Sequence, residues 1–178
     1  GFGILTADNY DDYLLQFYLI PSANKYLNAL ADEEREEYLE NNAWITWNGS
    51  SAAFAFSDYV MHVGRMKGLP AFDDFNLAAP EPSLFGDENT DARHYTDFSL
   101  KQTSGDPDAE IDDELKTVVN MMNAMTFIGQ DNRGCAHHWW LRNGARDNHN
   151  SQTVMINLAT SLENRGKEVN AWVFWEGG

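Results

Sequence analysis

Apolar residues recur at helical spacing through residues 10–30, YDDYLLQFYLIPSANKYLNAL, and Pro21 interrupts the run. The pattern predicts two helices or one kinked helix, because proline removes a backbone donor and crowds the carbonyl four residues back. ADEEREEYLEN (31–41) predicts a short helix whose acids lie early, where the helix dipole favours negative charge. AWITWNGS (43–50) alternates and ends on Asn48-Gly49, the signature of a strand and turn. Asn48-Gly49-Ser50 also matches a glycosylation sequon, but a hairpin turn accounts for the same residues more simply. SDYVMHVGRMK (57–67) reads as a helix closed by Gly68-Leu69-Pro70.

From 70 to 107 no period holds, and four of the five prolines lie at or after Pro70. A stretch this long inside a compact domain reads as a lid or binding arm. DPDAEIDDELKTVVNMMNAM (106–125) opens on acids and then sets Leu115, Val118, Val119 and Met122 on one face, so it predicts an amphipathic helix. After residue 124 the character changes. A strand (137–142), a loop (143–150), a helix (151–165) stopped by Gly166, and a strand (168–175) form one β-α-β unit, with Ser151 or Asn150 as the helix N-cap. Such a unit implies parallel strands covered on both faces. The chain is therefore expected to divide into a mainly helical, irregular region over 1–123 and an α/β portion over 124–178. A single β-α-β unit makes an incomplete sheet, which is expected to continue on residues outside this sequence or on another chain.

Composition narrows the picture. At 178 residues and 43% apolar the chain is globular, with room for one domain and perhaps part of a second. Six Trp, seven Tyr and ten Phe exceed what a core of this size needs and hint at a cleft with aromatic walls. A formal charge of −16 repels phosphate, which argues against nucleic acid and anionic membrane as partners and fits a neutral or small ligand. No apolar run approaches the roughly 18 residues of a bilayer span, so the expectation is a soluble protein. Cys135 stands alone, so no internal disulfide can form and the compartment, cytoplasmic or secreted, is left open. The start, Gly1-Phe2-Gly3, has neither initiator Met nor signal character and reads as a cut edge.

Candidate chemistry concentrates in the loop RNGARDNHN (142–150), which carries two Arg, an Asp and a His where a connector needs only Gly and Asn. In open α/β sheets ligands bind beyond the carboxyl ends of the strands, and Asp147 is placed on that rim. A carboxylate there can accept the imidazole Nδ1–H of a histidine, fix its tautomer and stabilise the imidazolium formed during acyl transfer. In hydrolases of the α/β type the triad order is Ser, acid, His, with the acid after one late strand and the His after the next. Here the next strand ends in WVFWEGG (172–178), which puts the expected His directly after Gly178. The alternative is that Asp147 merely caps the following helix and Arg146 solvates the loop.

LRNGARDNHNSQTVMINLATSLENRGKEVNAWVFWEGG (141–178) resembles the C-terminal segment of bacterial tannase-like α/β-hydrolases, carboxylic ester hydrolases that include tannases and feruloyl esterase-like members. VGRMKGLPAFDDFNLAAPEPSLFG (63–86) and RHYTDFS (93–99) resemble segments of that family's lid, so the likeness covers at least 58–178. It implies the C-terminal portion of an α/β-hydrolase fold with a mainly helical lid and no cofactor. Asp147 matches the family's triad acid. Lys67, in GRMK, and Glu81, in APEPSLFG, match lid residues that in the tannases hold the phenolic hydroxyls of the galloyl ring. A third tannase contact, an Asp two residues past the triad acid, is replaced here by His149, which implies a weaker preference for gallate.

No Gly-x-Ser-x-Gly elbow occurs, and NGSSAA (48–53) neither follows a long apolar strand nor carries the second Gly. The nucleophile and the catalytic His are thus expected in cis on the remainder of the hydrolase or on a separate chain, and these 178 residues alone are expected to be inactive. His137 and His138 are adjacent on a strand and so point to opposite faces, His62 and His94 stand alone, and no metal site is expected. Arg142 and Arg146 could bind a substrate carboxylate, but are read as solvated or paired to nearby Asp. Two function classes remain: a serine-type esterase acting on small aryl esters, and a non-catalytic acidic module binding a protein or glycan.

Overall fold

A computed structural model describes residues 2–64, 70, 72–130, 134–147 and 150–178. In chain order the elements are α1 (Tyr10–Leu14), a π-helical turn (Leu15–Leu19), α2 (Ile20–Ala29), α3 (Asp32–Asn41), β1 (Thr46–Trp47), β2 (Ala52–Ala53) and α4 (Phe56–Val63). A 3₁₀ turn (Glu81–Phe85), α5 (Asp97–Ser104), α6 (Asp113–Met122) and α7 (Ala124–Ile128) follow, and then β3 (His138–Gly144), α8 (Gln152–Glu163) and β4 (Glu168–Phe174). Among the described residues the class is mixed: helices with two small two-stranded sheets.

The helical run over 10–29 is continuous, and the interruption anticipated at Pro21 takes the form of the π-helical turn just before it. Pro21 sits in the first turn of α2. A wider turn ahead of it re-routes the carbonyls that its ring cannot serve. Where α2 ends, Arg35 of α3 donates to Leu30 O at 3.3 Å and covers a carbonyl that the helix leaves open. β1 and β2 form the hairpin expected from Asn48-Gly49: Thr46 pairs with Ala53 and Trp47 with Ala52, and Gly49 adopts φ +98°. The Asn48 side chain closes the turn by accepting the N–H groups of Ser50 and Ser51.

Two boundaries differ from the expectation. α4 stops at Val63, because Gly64 takes φ +71° and its N–H returns to Val60 O; residues 65–67 of the anticipated helix lie outside the described residues. The stretch 70–107 is not uniformly irregular. α5 lies within it, capped by Thr96, whose side chain accepts Ser99 N–H, and ended by Gly105 in the left-handed region.

The chain divides into two compact units, residues 1–66 with 136–178, and residues 67–135. This is not the expected split at 123/124. Residues 1–64 join the β-α-β unit because their apolar side chains need it: Leu14, Leu19 and Ala23 share one buried cluster with Ile156 of α8 and Val173 of β4. In the second unit Phe85, Ile111 and Leu115 make a smaller core, flanked by Tyr95, Leu100 and Val119.

β3 and β4 are parallel, in register from His138 opposite Glu168 to Gly144 opposite Phe174, as the β-α-β reading requires. α8 begins at its Ser151 cap, and the chain turns away from it at Gly166, φ +71°. The expectation of strands covered on both faces does not hold within these residues. β3 alternates, with Leu141 packed against the buried cluster and Trp140 77% exposed, and Phe174 of β4 is also exposed. On the far margin of β4, Ser22 of α2 donates to Val173 O at 2.6 Å.

Candidate functional site

β3 runs to Gly144, beyond the anticipated end near Arg142, so Asp147 follows the strand by three residues, on the carboxyl-end rim. The loop is fastened to the exit of β4 by its backbone. Ala145 N–H donates to Phe174 O (2.8 Å) and Arg146 N–H to Gly177 O (2.7 Å). Gly144 is required at this approach, since a Cβ there would lie 2.3 Å from Gly177 O. Tyr59 of α4 adds a third tie through its hydroxyl, which donates to Ala145 O at 2.7 Å. Burial, chiefly, pushes that phenol up to about 12.

The Asp147 carboxylate is aimed by its own loop. Asn143 Nδ2 donates to Oδ2 and Asn150 N–H to Oδ1, both at 2.9 Å. The cap of α8 is instead Ser151, whose hydroxyl accepts Thr153 N–H, so the bland alternative of Asp147 as helix cap does not describe the geometry. Beside the loop, α4 and the start of α8 border an apolar cavity of about 170 Å³, walled by Phe56, Tyr59, Val60, Val63 and Ala145.

A second carboxylate stands next to this loop, and sequence reasoning missed it. Glu176, in the turn after β4, accepts Tyr38 OH at 2.6 Å, lies 3.2 Å from His62 Nε2, and meets Arg146 at 2.9 Å through Oε2. Tyr38 OH is held in turn by Trp175 Nε1–H at 2.8 Å, and the His62 ring packs on Trp44 with centroids 4.9 Å apart. Burial pushes the Glu176 carboxyl up. The hydrogen bonds from Tyr38, Arg146 and His62, with the charge of His62, outweigh it and hold the group below its ordinary value. The hint in the sequence was a lone acid between an apolar strand and Gly-Gly.

Histidines expected to stand alone do not. His62 pairs with Glu176, and His94 Nδ1 lies 2.9 Å from Oδ1 of buried Asp73. Asp73 Oδ2 also accepts the N–H groups of Tyr95 and Thr96 and the Thr96 hydroxyl. His137 and His138, predicted to diverge, both approach Glu168, at 3.4 and 2.9 Å, because His137 precedes β3 and escapes its alternation. Arg142 is exposed, as expected, yet its guanidinium turns back to its own sheet: it donates to Asn170 O and Oδ1 and lies over the Trp140 ring. Among the described residues no group of three His, Cys, Asp or Glu could hold a metal, and no helix is long and apolar enough to cross a membrane.

Of the residues that the resemblance assigns to a lid, Glu81 opens the 3₁₀ turn of the second unit. The Tyr95 phenol there is pushed up to about 12 by burial first, then by the charges of Asp73 and Glu81, and its ring stacks on Phe85 at 4.3 Å. Lys67 and His149 lie outside the described residues.

No family model matches the chain, and no curated protein matches it. Solved structures do. A tannin acyl hydrolase, solved as a mercury derivative, is 29% identical over 95% of this chain, with a TM-score of 0.75. The tannase of Lactobacillus plantarum is 28% identical over 93%, TM-score 0.75, and that of Fusobacterium nucleatum 28% over 95%, TM-score 0.70. The chain spans about a third of the length of these proteins, 34% in each case. Across nearly all of its own length, then, this chain is tannase-like, similar in structure and in sequence to about one third of a bacterial tannase.

Proposed function

We propose that this chain is the C-terminal part of a serine-type carboxylic ester hydrolase of the α/β-hydrolase fold, and that Asp147 is the acid of its catalytic triad. The nucleophilic Ser and the general-base His come from the remainder of the protein, in cis or as a separate chain. The observation that carries the reading is the setting of Asp147: a carboxylate on the carboxyl-end rim of a parallel pair, aimed by Asn143 and Asn150. Such an acid orients the imidazole and stabilises the imidazolium while the Ser oxygen attacks the ester carbonyl. An oxyanion hole completing the site also lies outside this chain.

The substrate class is small aryl esters of phenolic acids. Two of the similar structures are of a tannin acyl hydrolase in complex with ethyl gallate and with 3,4-dihydroxybenzoate. In this reading Lys67, Glu81 and His149 are the residues that bind the acyl group, as their match to the tannase contacts implies. A neutral imidazole at 149 offers one donor and one acceptor where a carboxylate would accept two phenolic hydroxyls, so gallate gains no special advantage.

The test is Asp147→Asn in the complete polypeptide, assayed on ethyl gallate. The expected result is a fall in kcat of about 10⁴-fold. An unchanged kcat would overturn the assignment.

A further inference from the structure

The backbone of Glu176 lies in the left-handed region, φ +58°, a conformation that glycine adopts at less cost than any other residue. The chain has glutamate there, so the side chain is what the position retains. That side chain gathers three donors from three separate segments: Tyr38 on α3, His62 on α4, and Arg146 on the loop that carries Asp147. Tyr38 and His62 belong to packed helices, with the His62 ring against Trp44 and Tyr38 fixed by Trp175, so they hold the carboxylate as a rigid anchor. Arg146 is the least buried of the three, its side chain half exposed. It is also the residue immediately before Asp147, and its own N–H is bound to Gly177 O.

We infer that Glu176 is a positioning residue for Asp147: it grips Arg146 and so sets the height and direction at which the loop presents the Asp147 carboxylate to its imidazole partner. The contacts of the Glu176 carboxylate are Tyr38, His62 and Arg146, so it acts as a support and not as a reacting group. Its effect passes through the loop, where a displacement on the order of 1 Å suffices to slow chemistry about a hundredfold. The inference rests on the reading of Asp147 as the triad acid.

The experiment uses the complete polypeptide, with ethyl gallate as the probe. Arg146→Ala removes a half-exposed side chain and leaves the Tyr38 and His62 bonds to Glu176 in place, so the fold is retained. Glu176→Gln neutralises the anchor itself. Each is expected to lower kcat by about ten- to a hundredfold with KM unchanged to within about twofold. Neither should lower kcat further in an Asp147→Asn background, because the residue being positioned is already disabled. A loss of equal size in both backgrounds, a change confined to KM, or no loss in Arg146→Ala would overturn the positioning role. An Asp147→Asn enzyme of undiminished kcat would instead refute the underlying reading. A crippled Asp147→Asn enzyme beside an unimpaired Arg146→Ala enzyme would refute this inference alone.

Discussion

Asp73 and Glu176 are both acids with a histidine beside them, one in each compact unit, and they are held in opposite ways. Asp73, 3% exposed, accepts two backbone N–H groups and a hydroxyl from Tyr95 and Thr96, with His94 alongside, so these partners come from one tripeptide. Its main-chain carbonyl meanwhile accepts the Ser99 hydroxyl at 2.6 Å, which ties the same acid to α5. Glu176 depends on side chains instead, from residues 38, 62 and 146. Two of the Asp73 partners are backbone donors, which do not titrate and cannot be exchanged by mutation, so the first arrangement is the more fixed of the two, a staple. Side-chain donors can be moved, protonated or substituted, and the second is an adjustable clamp. A staple suits a segment that needs only to hold its shape, and a clamp suits a loop whose aim matters.

The contrast can be broken most forcefully at Asp73. Asp73→Ala would strand two partly buried N–H groups, a hydroxyl and an imidazole, and is expected to cost about 3–5 kcal/mol, read from urea unfolding with hydrogen exchange followed at residues 94–99. A loss under about 1 kcal/mol would show that water replaces the carboxylate and that the staple reading is wrong.

Glu176→Gln is expected to cost less, about 1–3 kcal/mol near neutral pH, since the site is partly open to solvent, which screens the charge. Its pH dependence is the sharper test. The folded-state pKa lies below the ordinary 4.5, so the contribution is fully present above the unfolded value and lost as pH falls through the folded one. Unfolding midpoints of the native and Glu176→Gln proteins should therefore converge as the pH falls through the folded-state value, below the ordinary glutamate value. A gap that stays constant would mean that the carboxylate charge contributes nothing. The smallest effect belongs to His62→Phe, which keeps the packing on Trp44 and removes one of three donors. About 0.5–1 kcal/mol is expected, measured by thermal unfolding.

How much of this is legible in the sequence follows from how far apart the partners lie in the chain. The β3-α8-β4 unit can be read because its signals are local: Ser151 caps, Gly166 stops, and apolar runs flank them. Asp147 stands out because charge is rare in so short a connector, and Asn143 and Asn150, which aim it, are within a few residues. α5 escapes a reading by pattern because its one buried residue is a serine, Ser99, which leaves no apolar stripe to detect, although Thr96 and Gly105 mark both of its ends. Glu176 is out of reach for a different reason. Nothing near it in sequence announces donors more than 100 positions away in two of three cases. The grouping of residues 1–64 with the β-α-β unit is hidden likewise, since a helix's apolar face shows that it must be covered without showing by what.

The hydrogen bond from Ser22 to Val173 O has a consequence for how the parallel pair meets other chains. A strand margin with open carbonyls is a template on which a foreign segment can add and seed aggregation. Phe174 O turns inward, to Ala145 N–H, so the carbonyl of Val173 faces the outer margin, and there a helix hydroxyl already occupies it. An intruding strand would have to displace α2, whose Leu27 and Ala23 are fully buried, before it could form its first rung. One serine thus gives the pair a direction of growth: further strands can join beside β3, while the margin beyond β4 is closed where Ser22 meets it.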